Sequence, residues 1–246
     1  MKKKNKKNLD ILIPVYFEME NVLKTISLII RNVKCNYKLH ICYDTFKDPT
    51  INIIKKKYPK NNKINFIKNS SRGFNNALIT GIKKTNGDAV IFYMADDTSN
   101  TKKIDKCYQI FNKNYQIVCP SRFIKGGKME GNSFFKGLLT KLASIILYNF
   151  TNFPVKDATN SFRLFSRNFL KTIKLESQKG FTLSMEISAK GHRKDCNFFE
   201  LPCTWIEREK GRSNFKLFSF IGPYLRWFYY IFNTSIFYKK NDRFKI

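Results

Sequence analysis

The chain has 246 residues, 43% of them apolar and 24 of them Phe, enough to bury the core of one large α/β domain or two small ones. Lys and Arg number 46 against 18 Asp and Glu, so the net charge is +28. That charge points to nucleic acid, an anionic bilayer or phosphorylated small molecules, or it reflects AT-rich coding, since Lys, Asn and Ile are all abundant.

Six cysteines lie scattered without a CxxC pair, which argues against a disulfide frame or a zinc site and for a reducing compartment. The basic start, MKKKNKKN, runs into the short strand-like LDILIPVY and then into charged residues, so it does not read as a signal peptide. No stretch of ~20 uncharged apolar residues supplies a simple transmembrane helix.

In chain order, the patterns predict strands over 9–16, 38–44, 63–69, 88–97 and 115–121. Between them, helices are predicted over 21–33, 48–58, 73–85 and 101–112. This alternation means βαβ units and a parallel sheet. Ligands then bind outside the carboxyl ends of the strands, at Tyr16 to Glu18, Asp44, Asn69 to Arg72, and Asp96 to Asp97. The second half is less regular: a long apolar helix over 134–153, a strand over 197–209, and an aromatic, basic tail over 215–240.

Asp96 and Asp97 end an apolar strand, where two unpaired buried charges would be too costly, so they are solvated, paired or bound to a cation. One reading is a solvated turn with Asp97 as a helix cap. The other is Mg²⁺ or Mn²⁺ held against a nucleotide diphosphate, since these ions take one or two carboxylates plus phosphate oxygens. Asp44 and Glu18 share that rim, so four acidic side chains gather on one edge of a very basic chain.

Seven segments in order resemble the dolichyl-phosphate and polyprenyl-phosphate mannosyltransferases of family-2 glycosyltransferases. They are ILIPVYFEMENV (11–22), YDTFKDPT (43–50), NSSRGFNNALITGIKKTNGDAVIFYMADDTS (69–99), SRFIKGG (121–127), DATNSFRLFSRNFL (157–170), GFTLSMEISAKGHRK (180–194) and IEREKGRSNFK (206–216). The resemblance implies a GT-A, Rossmann-like α/β fold: a mostly parallel sheet flanked by helices, with amphipathic membrane-interface helices on the C-terminal side. With no repeat and no long low-complexity linker, the chain is read as a basic tail over 1–8, a catalytic domain over 9–214 and a membrane-associating extension over 215–246. The implied activity is inverting transfer of a sugar from a nucleotide-sugar donor to a polyprenyl phosphate.

By the same resemblance, Pro14, Tyr16, Glu18 and Asp44 bind the nucleoside, and Asp97 with Asp96 holds the metal. Ala95 stands where the family has the first Asp of its DxD motif, while Thr45, Phe46 and Phe17 also depart from the pattern. Arg122 and Arg163 fall where the family places acceptor-phosphate arginines, and Arg208 near the donor pyrophosphate. A lipid phosphate is already anionic and needs positioning, which a guanidinium supplies. Glu186 could orient Arg163 or the sugar, or act as base for a hydroxyl acceptor, with Asp157 the remaining carboxylate. Lys125, Gly126 and Gly127 suggest a mobile loop over the acceptor.

Helix 134–153 and the tail mix aromatic and basic residues, which suits a bilayer interface at the cytoplasmic face, peripheral or monotopic; a core helix pair is the alternative. An anchoring partner subunit is a further option. A saccharide-hydroxyl transferase, a nucleotide-binding homologue without turnover and a nucleic-acid binder compete with this reading. No helix-turn-helix, zinc-finger or aromatic RNA-binding signature supports the last, so no nucleic acid is expected.

Overall fold

The computed structural model describes residues 7–131, 134–206 and 217–236. The chain opens with β1 (Leu9–Val15), α1 (Val22–Asn32), β2 (Tyr37–Tyr43), α2 (Pro49–Lys57), β3 (Ile64–Lys68) and α3 (Phe74–Lys84). β4 (Ala89–Phe92), α4 (Thr101–Phe111), β5 (Ile117–Ser121), β6 (Lys128–Glu130) and α5 (Phe134–Phe150) follow. β7 (Arg163–Ser166), α6 (Arg167–Leu170), α7 (Leu183–Arg193), β8 (Phe198–Pro202), β9 (Thr204–Ile206) and α8 (Leu217–Ile236) complete it.

The main sheet runs β3-β2-β1-β4-β7-β5-β8. Its neighbours pair in parallel except β7, which is antiparallel to both β4 and β5. β1, β2 and β4 are buried along almost their whole length because both faces of the sheet are covered. Ile11 and Ile13 pack with Ile26, Ile29, Ile54 and Ile104 of α1, α2 and α4. Leu12 faces the other way, toward a cluster holding Leu78, Leu147, Ile187, Trp227 and Ile231 of α3, α5, α7 and α8. Each fully buried aliphatic side chain there contributes about 1.5–3 kcal/mol.

β4 is shorter than the predicted 88–97 run. Its pairing with β1 ends at Leu12 opposite Phe92, and Tyr93 N–H gives a last bond of 3.0 Å to the Leu12 carbonyl. Beyond it Pro14 and Val15 keep only their β2 partners, so the sheet splits open where the chain turns toward Asp96. The parting strands create the crevice on which the site is built.

The predicted 197–209 strand breaks at Cys203 into β8 and β9, and β9 pairs with β6 in a small second sheet. This pairing holds the far end of the 122–127 loop, for which mobility was expected from its glycines; Lys128 N–H also bonds the Cys203 carbonyl at 3.0 Å. All six cysteines are free thiols. Burial pushes those of Cys42 and Cys119 up to about 12, as for small core residues.

The tail helix α8 folds back on the domain: Trp227 and Ile231 are buried in the core, and Arg193 Nη1 reaches the Tyr230 hydroxyl at 3.1 Å. No helix among the described residues is long and apolar enough to cross a membrane. α5 and α8 nonetheless expose Leu138, Leu142, Ile145 and Tyr148, and Ile221, Leu225 and Tyr229, at three- and four-residue spacings that make a stripe on each helix.

Candidate active site

A cleft of about 1310 Å³ opens at the carboxyl ends of β1, β2 and β4. Tyr16, Glu18, Asp44, Asp96 and Asp97 line it, as the strand-end argument predicts, together with Pro14; of Asn69 to Arg72, Arg72 alone does. Arg122, Thr159, Asn160 and Tyr224 line it farther along, and Met129, Trp205 and Ile206 add apolar wall.

The β1–α1 loop is fixed by two residues of the following βα turn. Asp48 is fully buried; its Oδ2 accepts Phe17 N–H at 2.9 Å and its Oδ1 accepts Thr50 N–H at 2.9 Å, capping α2. Thr50 Oγ1 accepts Glu18 N–H at 2.9 Å. Phe17 takes a left-handed φ of 54°, a conformation uncommon outside glycine and made up for here by the Asp48 bond. The loop leaves Tyr16 half exposed at the rim, available for stacking.

Asp44 Oδ1 accepts Asn69 Nδ2, and Asp44 Oδ2 accepts Gly73 N–H at 3.0 Å. Gly73 has φ 108°, a region that favours glycine, and this turn starts α3. Asp44 therefore shapes this end of the cleft as well as facing it.

Asp97 Oδ1 accepts the backbone N–H of Ser99 and of Asn100 at 3.0 Å, so it organises the turn into α4. Asn100 itself is buried. Its Nδ2 donates to both Asp97 oxygens and to the Thr204 carbonyl at 2.6 Å, and its Oδ1 accepts Thr204 N–H at 3.1 Å. Burial pushes the Asp97 carboxyl above the ordinary range, opposed by the hydrogen bonds of Asn100 and Ser99. Ala95, in the place of the family's first Asp, is buried but lines the cleft wall beside Asp96 and Asp97, bringing no ligand oxygen to it.

Among the described residues, no three His, Cys, Asp or Glu side chains gather into a metal cage. Two adjacent carboxylates on a cleft wall are the donor set that Mg²⁺ or Mn²⁺ uses when phosphate oxygens supply the remaining ligands, so Asp96 and Asp97 fit such an ion.

At the other end Arg122 grips Asp157 with two parallel bonds, Nε to Oδ2 at 2.7 Å and Nη2 to Oδ1 at 2.8 Å, and Nη2 also reaches Thr159 Oγ1 at 2.7 Å. Burial works against the Arg122 charge, but Asp157 outweighs it and raises its basicity. Burial likewise disfavours the Asp157 carboxylate, yet Arg122, with Arg163 behind, holds it below the ordinary range. Tyr224 of α8 closes this end, its hydroxyl donating to the Phe181 carbonyl at 3.3 Å.

Two expected site residues stand elsewhere. Arg163 is fully buried; it donates to the Asp157 carbonyl and to Ser188 Oγ, so its guanidinium cannot meet an acceptor phosphate in the cleft. Glu186 is also fully buried. It accepts Glu176 and Ser177 N–H at 2.7 Å and pairs with Lys190 at 2.7 Å, so it neither orients Arg163 nor serves as a base. Both were placed by motif position, which gives the strand or helix but not the face. Arg208 lies outside the described residues. Sequence reasoning missed Asp48, Asn100, Thr159 and Trp205; of these, Asp48 carried a readable signal, the Asp-Pro that starts a helix.

Residues 10–174 match the family described as glycosyl transferase family 2. The chain belongs to glycosyl transferase family 2. It is 29% identical over 228 residues to a dolichol-phosphate mannosyltransferase of Pyrococcus furiosus, covering 89% of this chain and 62% of that protein. It is 21% identical over 127 residues to a chondroitin synthase of Escherichia coli, covering 52% of this chain and 18% of that protein. The chain thus spans less than two thirds of these family members' lengths. Glucosyl-3-phosphoglycerate synthase of Mycobacterium tuberculosis, solved with Mn²⁺, UDP and glucosyl-3-phosphoglycerate, superposes with a TM-score of 0.68. That match covers 94% of this chain and 81% of the other at 15% identity, and so speaks for the fold alone. The mostly parallel, helix-flanked GT-A architecture expected for the family is the one observed.

Proposed function

We propose that this family-2 chain is an inverting glycosyltransferase that moves a sugar from a nucleotide-sugar donor to a polyprenyl (dolichyl-type) phosphate at a membrane surface. The layout of the cleft carries the reading. Carboxylates Asp44, Asp96 and Asp97, with the cations Lys24 and Arg72 also on the wall, line the strand-end part, and Arg122 lines the part farther along, beside two helices that expose apolar stripes.

Tyr16, Glu18, Pro14 and Asp44 hold the nucleoside, and Asp97 with Asp96 would hold Mg²⁺ or Mn²⁺, whose charge would offset that of the departing diphosphate. Arg208 assists at the pyrophosphate. Arg122 positions the acceptor phosphate with the guanidinium edge that Asp157 leaves open. A phosphate oxygen attacks the anomeric carbon from the face opposite the diphosphate. The anomeric C–O bond breaks, and its electron pair leaves with the nucleoside diphosphate. The attacking oxygen is already anionic, so no general base is required.

The burial of Glu186 weighs against transfer to a saccharide hydroxyl, for which it was the candidate base. Support for the metal comes from the Mn²⁺ and UDP held by the mycobacterial structure. Support for the lipid comes from the similarity to the archaeal dolichol-phosphate mannosyltransferase and from the exposed Leu142, Leu225 and Tyr229, which suit a peripheral or monotopic protein on an anionic bilayer; the cytoplasmic face is part of the proposal. The test is a panel of nucleotide sugars offered with polyprenyl phosphate or with oligosaccharides. Sugar entering the lipid phase supports the reading; transfer only to oligosaccharide overturns it.

A further inference from the structure

Arg163 is the largest fully buried side chain of the fold, and it lies directly behind the Arg122–Asp157 pair. Its Nη2 donates to the Asp157 carbonyl, while Nη1 donates to Ser188 Oγ and, at 3.5 Å, to the Ser184 carbonyl. Ser188 is itself oriented by a 2.8 Å bond to the Ser184 carbonyl, so β7 and α7 together fix the guanidinium. No carboxylate is among the hydrogen-bond partners described for it, and its Nε has no hydrogen-bond partner among the described residues. A buried cation without its own counter-ion is costly, and a fold that keeps one gains something from it.

Arg122 alone would be a poor phosphate ligand. Its bidentate pair with Asp157 cancels its charge, and a neutral pair attracts an anion weakly. Adding Arg163 leaves the three groups with one net positive charge, held at low dielectric beside the cleft. The half-buried Glu200 accepts the backbone N–H groups of Lys156 and Asp157 at 2.9 and 3.3 Å, and its charge is moderated by solvent.

We infer that Arg163 is a positioning residue that acts through Asp157: it fixes the segment carrying that carboxylate and supplies the uncompensated charge with which Arg122 attracts the acceptor phosphate. This rests on the reading of Arg122 as the acceptor-phosphate ligand. It gives Arg163 a role that needs no contact with substrate.

The probe is inorganic phosphate, its binding to the full chain in detergent followed by ³¹P line broadening for wild type, Arg122→Met, Arg163→Met and Asp157→Asn. Arg163→Met is expected to weaken phosphate binding about tenfold through the lost charge. Asp157→Asn removes the opposing charge and is expected to strengthen it about threefold or more. Opposite signs are what the charge account requires, because a merely structural role would weaken binding in both variants. Weaker binding in Asp157→Asn, or wild-type binding in a folded Arg163→Met, overturns the inference. If Arg163→Met does not fold, Arg163→Lys decides: it keeps the charge while losing the guanidinium fork, so near-wild-type phosphate affinity is expected and a tenfold loss overturns the inference. Wild-type phosphate affinity in Arg122→Met refutes instead the assignment of Arg122, a separate result.

Discussion

Asn100→Ala is the perturbation that most directly probes how the carboxylate end of the cleft is held. Asn100 Nδ2 donates to Asp97 Oδ1 and Oδ2 at 3.0 and 2.9 Å, and its amide pairs reciprocally with the Thr204 backbone of β9. Truncation removes the charge-assisted bonds, worth about 1.5–3 kcal/mol to the carboxylate form. It also leaves the Thr204 N–H and carbonyl without their partner, at about 1–3 kcal/mol for each group that water does not reach. Asp97 is already pushed above the ordinary carboxylate range by burial, and the Asn100 side chain is the largest counterweight to that push. Without Asn100 the carboxyl holds its proton to higher pH, and a protonated carboxyl is a poor metal ligand. Mn²⁺ affinity, read by electron paramagnetic resonance between pH 5 and 8, is therefore expected to fall about 10–100-fold, as for other losses of a hydrogen bond behind a metal ligand. The fall is largest at the acid end, and the acid limb of activity moves toward neutral pH. A folded Asn100→Ala protein with wild-type Mn²⁺ affinity and an unmoved acid limb would refute this reasoning.

Other outcomes follow from the same geometry. Asp10 is buried at the opposite end of the sheet, with Arg167 Nη2 at 3.0 Å, His40 Nε2 at 2.9 Å and Gly87 N–H at 2.6 Å; Asp10→Ala is expected to cost about 3–5 kcal/mol in urea unfolding because it strands a buried Arg167. Burial opposes the Asp10 carboxylate but His40, Gly87 and Arg167 hold it below the ordinary range, so its stabilisation is complete above about pH 4 and is lost as pH falls toward the folded value. Asp10→Asn should accordingly flatten the acid side of a stability-against-pH curve. Gly127→Ala would place a methyl 2.6 Å from the Ser121 carbonyl oxygen and 2.7 Å from the Arg122 backbone, which cannot yield as a side chain can; a loss of acceptor turnover larger than the loss of melting temperature is the expected result. Leu225→Asp with Tyr229→Asp, on the exposed stripe of α8, should abolish flotation with anionic vesicles while leaving thermal unfolding within a few degrees.

The first half of the chain was legible because the β1-to-β5 strands are short, mostly apolar runs separated by helices that each bury an apolar face. Even the rim residues Tyr16, Glu18, Asp44 and Asp97 were found that way, since in a parallel sheet topology alone sends strand ends to the crevice. The second half was harder because β7 is four buried residues with no alternation, and its antiparallel direction comes from a long return connection that leaves no local pattern. Arg163 shows the limit most clearly. Its position within a recognisable motif was right, but a motif does not say which way the side chain turns, and here it turns inward to the Asp157 carbonyl and Ser188. Asn100 and Asp48 were missed because an Asn or Asp near a helix start reads as a cap, whereas these two reach 104 and 31 residues away in sequence.

The most direct test of the account is the rate at which labelled sugar passes from a nucleotide-sugar panel into polyprenyl phosphate, with Mn²⁺ or Mg²⁺ present and then with EDTA, for wild type and Asp97→Asn. Lipid-phase product that needs the cation and is lost in a folded Asp97→Asn protein is the predicted result. Product that persists undiminished in EDTA and in Asp97→Asn would contradict the metal at Asp96 and Asp97, and label reaching only saccharide or water would contradict the lipid-phosphate acceptor.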